Sequence, residues 1–177
     1  MIKSIYRISF VLVIALLVSS FASAQVGQRD AARCVGLELT SVENPDGWHQ
    51  EKFAAYETSD IYFNYLFPEK MEGEYLISLR IYTPNGHLYR QMDHPVILGG
   101  RAVEGGRKVA GYPYPVKVLT TNRTVMDERS YERARANFPV AGTSIMTSSL
   151  YGTWRVEILV DGQLQSCEKE IKFRIVE

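Results

Sequence analysis

Apolar and polar positions alternate through the stretch Gly152–Val160, where Trp154, Val156, Ile158 and Val160 interleave with Arg155, Glu157 and Leu159. A period of two places the first set on one face of a strand. Asp161-Gly162 follows directly, a pair that predicts a tight hairpin because both central residues of such a turn need positive φ. Beyond it Cys167, Ile171, Phe173 and Ile175 recur at even spacing, with Ser166, Glu168, Lys172 and Arg174 between them. The chain therefore ends in a predicted hairpin with one apolar face that needs a cover.

The same pattern recurs upstream. Val35, Leu37 and Leu39 alternate in a first strand, and Asn44-Pro45-Asp46-Gly47 is a dense turn signal. Ile61, Phe63, Tyr65 and Phe67 alternate in an aromatic-rich segment that Pro68 ends. Tyr75, Ile77, Leu79 and Ile81 repeat the alternation, Pro84-Asn85-Gly86 turns the chain, and His87 to Met92 returns as a partner strand, with Pro95 to Leu98 as a short continuation. Val116 to Thr121 reads as a short strand. Between Asp127 and Asn137 both a helical and a strand face fit, and a strand from about Arg133 to Val140 is preferred, with Ala134, Ala136, Phe138 and Val140 on one side. Trp48 to Tyr56 is left irregular. About eight short strands joined by Gly, Pro and Asn turns, with no long helix, predict an all-β chain built as a single antiparallel β-sandwich.

Residues 1–24 change that picture at the front. Lys3 and Arg7 precede an apolar run from Ile8 to Val18, and Ala22-Ser23-Ala24 is a small-x-small cleavage site. This is the pattern of a secretory signal peptide, with residues 25–177 as one exported domain, periplasmic or extracellular. No later stretch is long and apolar enough to span a bilayer as a helix. Without Lys3 and Arg7 the chain keeps 18 basic against 20 acidic residues, a net charge of −2 with the three histidines neutral. A balance so close to zero argues against a nucleic-acid or membrane-surface binder. Cys34 and Cys167 are the two cysteines, and outside the cytosol such a pair reads as a disulfide joining the first strand to the last.

The hairpin sequences Tyr82-Thr-Pro-Asn-Gly-His-Leu-Tyr89 and Gly152-Thr-Trp-Arg-Val-Glu-Ile-Leu-Val-Asp-Gly162 resemble immunoglobulin- and fibronectin-type sandwiches of exported bacterial proteins. The resemblance covers residues 59–92 and 138–176 and is to a fold type, with no named family behind it. It departs from antibody-type domains in two respects: the cysteines would join terminal strands, and Trp154 lies on the next-to-last strand. It implies binding or assembly rather than chemistry.

No catalytic motif stands out. His49, His87 and His94 lack metal-ligand spacing to one another or to a cysteine and read as solvated turn residues. Asp46, Asp93, Asp127 and Asp161 read as turn caps, since no calcium-loop series is present. No Gly-x-Ser-x-Gly elbow occurs, and no cofactor or metal is expected. Residues 99–115 form a long glycine-rich excursion, and long loops in compact domains are functional or disordered. It carries Arg101, Arg107 and Lys108, suited to an anionic group, and Tyr112 and Tyr114, stiffened by Pro113 and Pro115. These five are the candidate binding residues. The expected function is an exported, non-catalytic module that binds a protein or a cell-envelope component, with no nucleic acid among its partners. The alternatives are a carbohydrate-binding module using Tyr89, Tyr112, Tyr114 and Tyr151, and third an enzyme.

Overall fold

The structure is a computed structural model that describes residues 34–42, 44, 47–100, 105–126, 128–165 and 170–177. The leader expectation for residues 1–24 lies outside them. Among the described residues there are twelve strands and one single-turn helix: β1 (Gly36–Ser41), β2 (Lys52–Ala54), β3 (Asp60–Pro68), β4 (Gly73–Tyr82), β5 (Leu88–Leu98), β6 (Gly106–Arg107), β7 (Val116–Lys117), β8 (Thr121–Met126), β9 (Arg129–Pro139), α1 (Ser144–Thr147), β10 (Gly152–Val160), β11 (Gln163–Leu164) and β12 (Ile171–Val176). The chain is all-β. Its strands form a four-stranded sheet in the order β1-β3-β9-β8, a six-stranded sheet in which β2-β12-β10-β4-β5 run side by side with β11 on β10, and a small β6-β7 pair. The ladders are antiparallel except for β2, which runs parallel to β12.

The alternation works as the sequence implies. Ile61, Phe63, Tyr65 and Phe67 of β3 are fully buried, as are Ile77, Leu79 and Ile81 of β4 and Trp154 and Val156 of β10. The register of β3 on β9 puts Phe63 opposite Ala136 and Tyr65 opposite Ala134. Small residues beside large ones leave room for the rings to reach the other sheet. Phe63 meets Phe173 at 6.2 Å and Phe138 meets Trp154 at 6.1 Å, both edge-on. Such pairs add about 0.5–1.5 kcal/mol each beyond their buried area. The Trp154 indole N–H donates to the Leu150 carbonyl at 3.0 Å, so its burial leaves no orphan donor.

Turn chemistry sets the hairpins. Asp161 and Gly162 have φ of 51° and 80°, the double left-handed geometry that the Asp-Gly pair predicts. Asp161 Oδ1 also accepts from the Leu76 N–H at 2.9 Å.

Several expectations need correction. The strand count exceeds eight because β2, β6 and β11 are two or three residues long, too short to show a period, and because the strand expected over Val116 to Thr121 is confined to β7 (Val116–Lys117), with β8 (Thr121–Met126) following as a separate strand. β2 in particular takes its strand character from pairing with β12, far along the chain (Lys52 lies beside Arg174), and not from any local pattern. β9 begins at Arg129, ahead of the expected Arg133, because its first residues pair with β8 in a hairpin closed by Met126↔Arg129. Leu159, assigned to the polar face of β10, is 4% exposed; it lies beside Ser78 on β4 and Leu164 on β11.

The outer edge of β1 is closed by side chains. The Val35 N–H donates to Gln165 Oε1 at 2.6 Å, Leu39 N–H to His49 Nδ1 at 3.1 Å and Ser41 N–H to Gln50 Oε1 at 2.8 Å. Capping of this kind prevents edge-to-edge strand pairing. The Gln165 amide also donates back to the Val35 carbonyl at 3.1 Å, drawing the residue after Cys34 to a residue just ahead of Cys167. Cys34 is disulfide-bonded, while Cys167 lies outside the described residues.

Candidate functional site

The excursion singled out in the sequence is fastened to the six-stranded sheet. Arg107 Nε donates to Glu74 Oε1 at 2.9 Å, the Tyr112 hydroxyl donates to Asp93 Oδ2 at 3.0 Å, and the Leu119 N–H donates to the Pro95 carbonyl at 2.9 Å. Val109 and Val118 are buried. Arg107 and Lys108 line one groove of about 280 Å³ together with Glu74, Leu76, Pro95 and Asp161. Beyond that groove, Arg107 and Tyr112 have separate partners. Arg107 is engaged by Glu74, the Tyr112 hydroxyl by Asp93, and Tyr114 stands 79% exposed. Arg101 lies outside the described residues.

Of the tyrosines expected to form a platform, Tyr89, Tyr112 and Tyr151 have partners of their own. Tyr89 packs edge-on against Trp154 at 5.1 Å, with its hydroxyl 2.8 Å from Ser144 Oγ, and Tyr151 is hydrogen-bonded to Tyr56. The Tyr112 hydroxyl is held by Asp93.

Two further sequence readings change. Asp93 is not a turn residue: it sits within β5 opposite Ser78, is 9% exposed, and accepts from Gln91 as well as Tyr112. Its neighbour His94 is not a solvated turn histidine. It sits opposite Ile77 on the apolar side of β5, with its ring 5.9 Å from that of Tyr65. Burial depresses the His94 pKa to about 4, against the pull of Asp93 and with some help from Arg90. Burial, and then Asp93, push the Tyr65 hydroxyl well above its ordinary range. Tyr65 Oη and His94 Nε2 are buried without a hydrogen-bond partner among the described residues. Both atoms are closed off from solvent.

Cationic side chains converge elsewhere, on the outer face of the four-stranded sheet. Ala134 and Ala136 point inward, so Arg133 and Arg135, two apart on β9, share the outward face. The ladders extend that face to Asn122 of β8, opposite Arg133, and to Asn64 of β3, opposite Arg135. Arg135 is pre-positioned: its Nε donates to Asn64 Oδ1 at 2.9 Å and its guanidinium lies 4.9 Å from the centre of the Tyr62 ring. Asn64 is held in turn by donating to Thr40 Oγ1 at 3.1 Å. A groove opens where the chain leaves this sheet. Thr121 pairs with Ala134, but Leu119 is bonded to the edge of β5, so the two segments diverge. Lys117, Asn122, Arg133 and Arg135 line the resulting space of about 390 Å³, with Thr120 beside them. Among the described residues no group of three or more His, Cys, Asp or Glu is placed to hold a metal ion.

Half of this site was visible in the sequence. Once Ala134 and Ala136 are taken as the inner face, Arg133 and Arg135 must share the outer one. The contributions of Asn122 and Lys117 depend on the β8-β9 register and on the divergence at Leu119, which no local pattern encodes.

The molecule is thus an all-β protein with an arginine-bearing groove on one sheet. No family model matches the chain, and no curated protein matches it. Among solved structures it is similar to the Pseudomonas fluorescens alkylpurine DNA glycosylase AlkC bound to DNA containing an abasic site analog, with a TM-score of 0.38 and 10% identity over 81% of this chain. The chain spans 30% of the length of that protein. That finding overturns the expectation of a non-catalytic exported module engaging a protein or envelope component, with no nucleic acid among its partners: the similar chain is an enzyme in complex with DNA. The likeness is too distant to supply a function in its place, and none is taken from it.

Proposed function

We propose that this protein binds a small phosphate-bearing anion in the groove between Lys117 and the Arg133/Arg135 pair. The observation that carries the reading is the convergence of three cationic side chains and the Asn122 amide on one groove. Guanidinium groups present planar forks of donors that match phosphate oxygens, and the ammonium of Lys117 adds a mobile point charge. Asn64 and the Tyr62 ring support the same reading, because they restrain Arg135 before any ligand arrives, and restraint reduces the entropy lost on binding. Inorganic pyrophosphate titrated by calorimetry tests it. Binding should be saturable, and each of Lys117→Gln and Arg133→Gln should weaken it about tenfold or more, the scale of one charge-assisted hydrogen bond. An absence of binding, or affinities unchanged in both variants, refutes the reading.

The finer architecture and the compartment belong to the same proposal. The two larger sheets are read as one immunoglobulin- or fibronectin-type sandwich, supported by ring contacts such as Phe63 with Phe173. Residues 1–24 are read as a cleaved leader, supported by the disulfide at Cys34, a bond that persists outside a reducing cytosol.

A further inference from the structure

We infer that β8 is a self-pairing edge, through which two copies of this chain join their four-stranded sheets antiparallel across a two-fold axis at Thr124. Among the described residues β8 pairs with β9 alone, whereas the outer edge of β1 is occupied by side chains of His49, Gln50 and Gln165. The β5 edge is interrupted by a register shift near Tyr82 and is bridged at Val96 by Leu119. β2 is only three residues long. An exposed, unbulged strand of six residues is the kind of edge that accepts another strand.

The occupant follows from the sequence of β8 itself. A hairpin closed by the Met126↔Arg129 pair directs the backbone hydrogen bonds of Met126, Thr124 and Asn122 to β9. The N–H and C=O groups of Val125 and Arg123 then face outward. In an antiparallel copy centred on Thr124, Arg123 of each chain lies opposite Val125 of the other, so the outward-facing groups meet in register. No like charges stand directly opposite each other, and Arg123 is already ion-paired with Glu69 of its own chain. Val125 is 66% exposed; the aliphatic stem of the copy's Arg123 covers it. The two Thr124 residues meet on the axis, a favourable cross-strand pair.

Sedimentation of the full chain should show a concentration-dependent dimer. Thr124→Cys sits at a non-hydrogen-bonded position on the axis, where opposed Cα atoms are about 4.5 Å apart, within the range for a disulfide. It should form a covalent dimer on mild oxidation much faster than Glu128→Cys at the hairpin tip. Val125→Pro removes an outward N–H that the β8-β9 ladder does not use, and edge strands tolerate proline there. It should leave the thermal transition in place and yield a monomer. A wild-type chain that stays monomeric at every concentration overturns the inference. So does a dimer that survives Val125→Pro, or equal cross-linking of the two cysteine variants.

Discussion

Protonating His94 in the folded state means placing a charge between the two sheets, beside the ring of Tyr65. The cost can be worked from its surroundings. Burial holds its pKa at about 4 against an ordinary value of 6.5, with Asp93 opposing the shift and Arg90 adding to it. The unfolded chain therefore takes up this proton near pH 6.5 and the folded chain only near pH 4. Between those values the unfolded state binds more protons, so stability falls as the pH drops through the window. At about 1.4 kcal/mol per pH unit, crossing from 6.5 to about 4 removes about 3 kcal/mol, the contribution being intact above the upper value. Urea unfolding measured at intervals from neutral pH to pH about 4 reads this directly. His94→Phe keeps an aromatic ring against Tyr65 and removes the titration, and the carboxylates common to both proteins cancel in the comparison. The variant should show a slope shallower by that amount. Equal slopes for the wild type and His94→Phe would show that the ring is not buried in its neutral form, and the placement of β5 against β3 would be wrong.

The remaining predictions concern the core and the crosslink. Trp154→Ala should cost about 3–5 kcal/mol in chemical unfolding, as large-to-small core changes do; an unchanged midpoint would place Trp154 on the surface. Tyr65→Phe deletes a buried hydroxyl that has no partner among the described residues, so it should leave stability equal or raise it by about 1 kcal/mol, and a clear loss would reveal a hydrogen bond to that group. Non-reducing peptide mapping should recover Cys34 joined to Cys167, and thiol labelling of both cysteines under denaturing conditions would contradict that pairing.

What the sequence disclosed tracks how far each feature depends on neighbours in the chain. Strands with a full alternation, such as Ile61 to Phe67, and turns with their own chemistry, such as Asp161-Gly162, carry their geometry locally and were readable. β2 was not, because Lys52–Ala54 becomes a strand only by lying along β12. His94 was read as a turn residue because the expected strand stopped at Met92; in the fold the strand runs on to Leu98 and Pro95 is accommodated on this edge strand. The glycine-rich excursion drew attention as a loop, yet Tyr112 and Arg107 spend their polar groups fastening it to Asp93 and Glu74. The arginines that share a groove were scattered through a segment whose secondary structure was ambiguous, and the register with β8 brings them together with Asn122.

The central claim is that the anion site lies on the four-stranded sheet and not on the excursion. Backbone amide shifts recorded during a pyrophosphate titration test it most directly. The account predicts saturable shifts centred on Lys117, Asn122, Arg133 and Arg135, with residues around Arg107 and Lys108 unmoved. Shifts centred on Arg107 and Lys108, or no saturable shifts at any residue, would contradict it.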